Sequence, residues 1–338
     1  MRLRKSLAFL LVLLVSWTAP GHRPKAEGLR AYLPYPPAKR EAFVERFLAL
    51  KSSAQLLLGE EAARAVAWLL RLEVRNQAEG KRSAFKTPLE ALEKAEAWLH
   101  SIGQAKRREA VNLEGLPTAP GYVLSHQEEI RAAAAALRIP AGVLAAIVDN
   151  EQYGGDKALG LSRGVREVAD ETALALAKQE GQAPFSRTLG LAQMSWEDTL
   201  RQKPRLERFG AWDPARPFPK TETEAREALK DPYLNLLFTA SRLRGLFNAL
   251  YGLPTEDTRS LEDPWLYYLG PAWHNYPFRA QNLETWEDSF HALFKGLLYQ
   301  VVLEDSVAWR AKGRLLLPLK RYGPDFPKGT GPVPEFFP

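Results

Sequence analysis

Apolar positions recur at steps of three and four residues along most of this chain, a spacing typical of amphipathic helices. Between residues 38 and 112 the pattern predicts three helices. Gly59 separates the first from the second, and Thr87, followed by Pro88 and Glu90, is the predicted start of the third. The apolar faces are formed by Phe43, Phe47, Leu50, Val66, Leu69, Leu70, Val74, Leu89, Leu92, Ala95 and Leu99. Convincing strands of alternating apolar and polar residues are lacking, so we predict an all-α, mainly helical fold.

A second series of helices is predicted in the later part of the chain. Ser125 with Glu128 matches a capping box, in which two side chains satisfy each other's backbone donors. Pro140 suits the first turn of the next helix because it has no amide hydrogen to leave unpaired. That helix is expected to stop at Gly154 and Gly155. Another is expected to begin near Ser195, and further helices are predicted over 222–230, 231–250, 264–269 and 284–309.

Proline and glycine divide the chain into regions. Residues 22–37 contain four prolines and one glycine and are predicted to be a linker before an N-terminal helical region, 38–112, that serves packing or docking. A boundary over 113–124 leads into the main domain, for which we assign residues 121–312. The tail, residues 313–338, contains six prolines and is predicted to be irregular.

The first 21 residues have the layout of a secretory signal. Arg2, Arg4 and Lys5 precede a short apolar run, residues 7–15, and small or turn-forming residues follow. The run is short for a membrane span, but Trp17 makes a poor cleavage site, so retention as a membrane anchor is the alternative. We therefore expect export to the periplasm or cell envelope.

Charge and composition narrow the function further. The formal charge is +6, but three of the excess positive charges lie in the predicted signal, so the remaining chain is only mildly basic. That suits an anionic cell wall and argues against a nucleic-acid partner. Cysteine is absent and the five histidines are scattered, so neither a disulfide framework nor a zinc site is expected.

The helix over residues 141–152 carries the candidate catalytic group. Leu144, Ile147 and Glu151 share one face, so the acid ends an apolar stripe. Partial burial there would raise the pKa of the carboxyl, as a general acid near neutral pH requires. An ion pair with an arginine, or a place at the rim of the stripe, would account for the same spacing.

Four blocks of sequence resemble the lysozyme-like lytic transglycosylases, the superfamily that includes goose-type lysozymes. In order they are IRAAAAALRIPAGVLAAIVDNEQ (130–152), LGLAQMS (189–195), DPYLNLLFTASRL (231–243) and YYLGPAW (267–273). The resemblance covers roughly residues 121–300 and implies a lysozyme-like domain. The sequence departs from the family at Gln152, where Ser is usual, at Tyr268, where Asn is usual, and in the long insert 154–189.

The resemblance implies a role for several residues. Glu151 matches the catalytic acid, and the residues expected to line or support the saccharide cleft are Gly190, Gln193, Met194, Asn235, Tyr267 and Tyr268. A structural role is the alternative for Gln193 and Tyr267, and helix packing is the alternative for Asn235. The aromatic residues Trp265, Tyr267, Tyr268, Trp273, Tyr276 and Phe278 would either stack on sugar rings or form core.

The implied reaction is cleavage of the β-1,4 bond between N-acetylmuramic acid and N-acetylglucosamine in peptidoglycan, without metal or organic cofactor. Asp156, Asp170 and Glu171 are candidates for a second acid, but we expect none of them to reach the required position, so the product should be a 1,6-anhydro sugar. The alternative function is a non-catalytic wall-binding or scaffold protein. Residues 160–164 also spell G-x-S-x-G, but the strand and parallel sheet that a nucleophile elbow needs are not predicted.

Overall fold

The computed structural model describes residues 26–81, 83–107, 109, 111, 118, 120–159, 188–261, 263–275 and 289–303. The first helices in chain order are α1 (Ala26–Tyr32), α2 (Pro37–Leu58), α3 (Glu60–Ala78), α4 (Pro88–Lys106), α5 (Pro120–Ser125), α6 (Gln127–Leu137) and α7 (Ala141–Leu159). After the strands β1 (Thr188–Leu189) and β2 (Met194–Ser195) come α8 (Trp196–Leu200), α9 (Lys203–Arg208), α10 (Glu222–Ala228), α11 (Pro232–Leu250), α12 (Leu266–Asn275) and α13 (Ser289–Leu303). The fold is all-α, as predicted.

Two of the predicted helix starts are confirmed by their caps. The hydroxyl of Thr87 accepts a hydrogen bond from the amide of Glu90 at the start of α4, and that of Ser195 accepts one from Asp198 at the start of α8. The capping box predicted at Ser125 is wrong. Ser125 is the last residue of α5 and donates to the carbonyl of Tyr122, while α6 begins beyond it at Gln127.

Three predicted boundaries are also corrected. A helix, α1, forms inside the predicted linker because Leu29 and Leu33 are buried, and it packs on α2 and α3. Helix α7 continues through the two glycines to Leu159, so glycine alone does not end it. Helix α12 extends past Pro271 instead of stopping near 269.

One continuous apolar core joins the N-terminal helices to the rest of the described chain. Helix α13 packs on α7 and α12 on one side and on α4 and α3 on the other. Phe290 of α13 packs against the rings of Phe85 and Trp98, and Trp68 of α3 lies against Trp265 and Tyr268. The two regions that the sequence separates therefore share one core.

The strands β1 and β2 form a small antiparallel hairpin that the sequence did not predict. Thr188 pairs with Ser195 and Leu189 with Met194, which leaves residues 190–193 as the turn. Two residues per strand are too few to show an alternating pattern.

The start of α12 is fixed by a buried carboxyl. Asp263 accepts hydrogen bonds from the backbone amide of Trp265 and from the hydroxyl of Tyr251. Burial, only partly offset by these hydrogen bonds, raises the pKa of Asp263 to about 6.

Within the described ranges, no helix is both long and apolar enough to cross a membrane. The predicted signal, residues 1–21, and the predicted tail, residues 313–338, lie outside those ranges.

Candidate active site

The segment 149–152 of α7 carries four polar residues in succession. Successive residues of a helix point about 100° apart, so these side chains project in four directions around the helix axis. Asp149 and Gln152 are completely buried, whereas Asn150 and Glu151 are half-buried. Buried polar groups are unfavourable unless they are hydrogen-bonded, so the partners of each side chain decide how the segment is held.

A buried ion pair fixes one side of the segment. Lys295 of α13 and Asp149 lie 2.6 Å apart, with their side chains 2% and 0% exposed, and Lys295 also donates to the Asn150 side chain at 2.7 Å. The hydroxyls of Tyr299 and Thr118 donate to the other carboxylate oxygen of Asp149, at 2.6 Å and 2.5 Å. Burial and the charge of Asp149 raise the pKa of Tyr299 well above its ordinary value, so the phenol keeps its proton.

Sequence reasoning missed this network. The available signal was a single lysine in the predominantly apolar stretch FHALFKGLLYQVVL of α13. A lysine on an all-round apolar helix needs an acidic partner, because an isolated buried ammonium is strongly unfavourable. The sequence does not say which carboxylate that partner is.

Glycines allow the helices around the site to approach closely. A Cβ on Gly142 of α7 would lie 2.3 Å from the carbonyl oxygen of Gly296 in α13, and one on Gly270 of α12 would lie 2.4 Å from Val143. A Cβ on Gly296 would in turn meet the Tyr267 side chain at 2.6 Å. These contacts fix α7 against both neighbours and leave little freedom for the helix to rotate.

The turn between β1 and β2 is held by side chains from three helices. Gln152 of α7 donates to the carbonyl of Leu191 at 2.8 Å, and His274 of α12 lies with its Nε2 2.5 Å from the carbonyl of Ala192. Asn235 of α11 accepts from the amide of Ala192 at 2.9 Å. Because Gln152 follows Glu151, this anchoring places the turn beside the segment that carries the candidate acid.

The ends of the turn have left-handed backbone conformations. Gly190 has φ +78°, and a Cβ there would lie 2.2 Å from the Asn235 amide nitrogen, which itself donates to the carbonyl of Leu189 at 2.8 Å. Gln193 has φ +49°, which is uncommon for a residue with a side chain. Its amide donates back to the carbonyl of Gly190 and its oxygen accepts from Thr188, so the turn is also closed from within.

Several residues expected to touch the sugar are buried instead. Tyr267 and Tyr268 are 0% exposed, as is Asn235, and such burial is typical of the structural roles named above as alternatives for Tyr267 and Asn235. The tyrosines pack in the core shared with α3 and α13, and Asn235 anchors the turn. Met194 is buried beneath the turn, as expected. Gln193 is half-buried, so part of its side chain is accessible.

Other predicted site residues fall outside the described part. Asp170, Glu171, Tyr276, Phe278 and the G-x-S-x-G stretch are not among the described residues. Asp156 and Trp273 are described in their backbone only, within α7 and α12. Trp265 is fully buried and belongs to the core. Among the residues that the structure describes, no cluster of three or more His, Asp or Glu side chains is arranged to hold a metal ion.

Comparison of the chain with protein-family models, with curated proteins and with solved structures found no match.

Proposed function

We propose that this chain cleaves the glycan strands of peptidoglycan at the β-1,4 bond after N-acetylmuramic acid, with Glu151 as the catalytic acid. One observation carries the proposal most directly. Glu151 is half-buried on a helix segment whose neighbours, Asp149 and Gln152, are fully buried and hydrogen-bonded to α13 and to the turn. An acid held on a rigid segment and partly withdrawn from water suits proton transfer to a bound substrate.

The reaction follows from a single carboxyl group. Protonated Glu151 donates its proton to the glycosidic oxygen as the bond from that oxygen to C1 breaks. The sugar's own acetamido group stabilises the positive charge at C1. Glu151, now a carboxylate, takes the proton of the sugar's 6-hydroxyl as that oxygen bonds to C1. The product is a 1,6-anhydro sugar and the carboxyl is protonated again, so neither water nor a cofactor is consumed.

The anchored turn is the proposed wall of the saccharide cleft. Its backbone is held from three helices, and the half-buried Gln193 lies at its end. A rigid turn with an amide side chain suits recognition of hydroxyl and acetamido groups, because these need fixed donors and acceptors. The proposal also requires export, in agreement with the signal predicted in the first 21 residues.

The test uses Glu151→Gln, which keeps the shape of the side chain but removes the transferable proton. Purified peptidoglycan is incubated with each protein and the soluble fragments are analysed by mass spectrometry. We expect the variant to lose at least a hundredfold in rate while keeping its thermal stability. Glu129→Gln, a half-buried glutamate on α6, is the matched control and should keep full activity. A Glu151→Gln rate within tenfold of the wild type would refute the assignment.

The mass of the product tests the mechanism. Anhydro ends are lighter by one water than hydrolysed ends, so reducible ends would show instead that an acid such as Asp156 activates a water.

A non-catalytic wall-binding protein is the second candidate. The burial of Tyr267 and Tyr268 favours it, because it removes two of the expected sugar contacts. In that case wild type and Glu151→Gln would sediment equally with peptidoglycan and neither would release fragments.

A further inference from the structure

A chain of polar contacts runs from the surface of the protein to the anchored turn. Asp198 of α8 is half-buried, and Arg242 of α11 lies 3.3 Å from its carboxylate. The guanidinium of Arg242 then lies 3.3 Å from Nδ1 of His274, and the opposite ring nitrogen of His274 lies 2.5 Å from the carbonyl of Ala192. His274 is buried, with 7% of its surface exposed.

The chemistry of the partners sets the tautomer of the imidazole. A guanidinium can only donate hydrogen bonds, so Nδ1 of His274 must accept from Arg242 and carries no hydrogen. The hydrogen of the neutral ring is therefore on Nε2, where it donates to the carbonyl of Ala192, which can only accept. A doubly protonated ring would set an N–H group against the guanidinium. In agreement, burial and the charge of Arg242 lower the pKa of His274 to about 3.

We propose that His274 is a positioning residue for the proposed glycan cleavage, and that the neutral Nε2–H tautomer, set by Arg242, holds the turn 190–193 in its substrate-binding conformation. His274 donates to the carbonyl of Ala192, whose amide donates to Asn235. The backbone carbonyl and amide of Ala192 are thus held by side chains of two different helices, α12 and α11. This holds the following residue, Gln193, in its left-handed conformation. The expected kinetic effect rests on the proposed function, whereas the tautomer of His274 and its hydrogen bond to the turn do not depend on that function.

Two substitutions separate the hydrogen bond from the bulk of the ring. In His274→Gln the side-chain amide can donate to the carbonyl of Ala192 and accept from Arg242, whereas in His274→Leu it can do neither. His291→Leu is the matched control, because His291 is a half-buried histidine that packs against Phe85 and Trp98, away from the turn, beside α4.

The first measurement is made on the full chain by NMR. Nitrogen-15 spectra of the histidine rings should show His274 as a neutral ring protonated at Nε2. The backbone amide signals of Leu191, Ala192 and Gln193 should shift in His274→Leu, but should stay near their wild-type positions in His274→Gln and His291→Leu. A ring protonated at Nδ1, or turn signals unmoved by His274→Leu, would overturn the proposal. If His274→Leu does not fold, the tautomer of the wild type and the spectrum of His274→Gln still test the proposal.

The second measurement is kinetic and uses soluble glycan strands. His274→Leu should raise KM about tenfold with kcat changed less than threefold, since the turn binds substrate and Glu151 performs the chemistry. His274→Gln should restore KM to within about threefold of wild type. Equal losses of kcat in His274→Leu and His291→Leu would show a general loss of stability and overturn the positioning role. If the wild type cleaves no glycan, the proposed function fails, whereas the NMR result still tests the anchoring.

Discussion

Replacement of Gly190 by alanine tests whether the turn is fixed by the packing seen here. The residue has φ +78°, and a Cβ would lie 2.2 Å and 2.7 Å from the amide nitrogen and Cγ of Asn235, and 2.5 Å from the carbonyl oxygen of Leu229. All three distances are shorter than a carbon atom tolerates. Because the oxygen belongs to the backbone, the turn or Asn235 must move, and the hydrogen bonds that Asn235 makes to Leu189 and Ala192 are strained or broken.

Three contributions set the expected loss of stability. A left-handed conformation costs alanine about 1 kcal/mol relative to glycine. Forcing a methyl group into a packed site adds about 1–3 kcal/mol. Loss of one of the buried hydrogen bonds of Asn235 adds about 1 kcal/mol. We therefore expect Gly190→Ala to lower the free energy of unfolding by about 3–5 kcal/mol, a large part of the stability of an average domain.

The assay is urea denaturation followed by circular dichroism, with Gly210→Ala as the matched control. Gly210 has a similar backbone conformation, φ +62°, but a Cβ there would meet nothing within 4 Å. Gly210→Ala should therefore lower the free energy of unfolding only by the cost of the left-handed conformation, about 1 kcal/mol. Asn235→Ala combined with Gly190→Ala removes two of the three clashing atoms, so the double variant should be less destabilised than the sum of the single ones by at least about 1 kcal/mol.

A loss for Gly190→Ala within about 0.5 kcal/mol of that for Gly210→Ala would refute this reasoning. It would mean that the turn adapts without disturbing Asn235, and that the close approach does not hold the hairpin. Additive effects in the double variant would lead to the same conclusion.

Three further predictions concern the core. Lys295→Met should lower the free energy of unfolding by about 3–5 kcal/mol because it leaves Asp149 charged and buried, and adding Asp149→Asn should recover much of that loss in the same denaturation assay. The raised pKa of Asp263 means that the folded state holds a proton which the unfolded state releases, so its contribution to stability falls as pH rises from 3.8 to about 6. The free energy of unfolding of the wild type relative to Asp263→Asn should therefore decrease by about 3 kcal/mol over that range and stay constant above about pH 7. Trp98→Ala should cost about 3–5 kcal/mol and shift a single unfolding transition, whereas two separate transitions would contradict the shared core.

The helices were predictable because their signal is local. The apolar faces at Phe43, Phe47 and Leu50, and the cap at Thr87, depend on residues a few positions apart, and the structure confirms them. The all-α fold follows from the same periodicity. Ser125 shows the limit of such signals, because a short helix ends there and its hydroxyl is used within that helix.

The features that the sequence did not indicate depend on residues far apart in the chain. The continuation of α7 through Gly154 and Gly155 cannot be deduced from glycine's weak helix propensity alone, which tertiary context overrides. Tyr267 and Tyr268 were expected in the cleft because of the resemblance, but the partner that covers Tyr268 is Trp68, two hundred residues earlier in the sequence. No periodicity within one segment indicates such a contact.

Gln152 shows why a departure from a family pattern has to be judged by what the side chain reaches. At the sequence level its replacement of the usual serine appeared only as a difference beside the candidate acid. In the structure the buried amide donates to the carbonyl of Leu191, so it joins α7 to the turn across 39 positions of the chain. A serine side chain is shorter by two atoms along the path to its donor and would not span that distance from the same backbone position. The glutamine, Asn235 and His274 therefore act on the same four residues from three helices, and the rigidity of the turn depends on all three together.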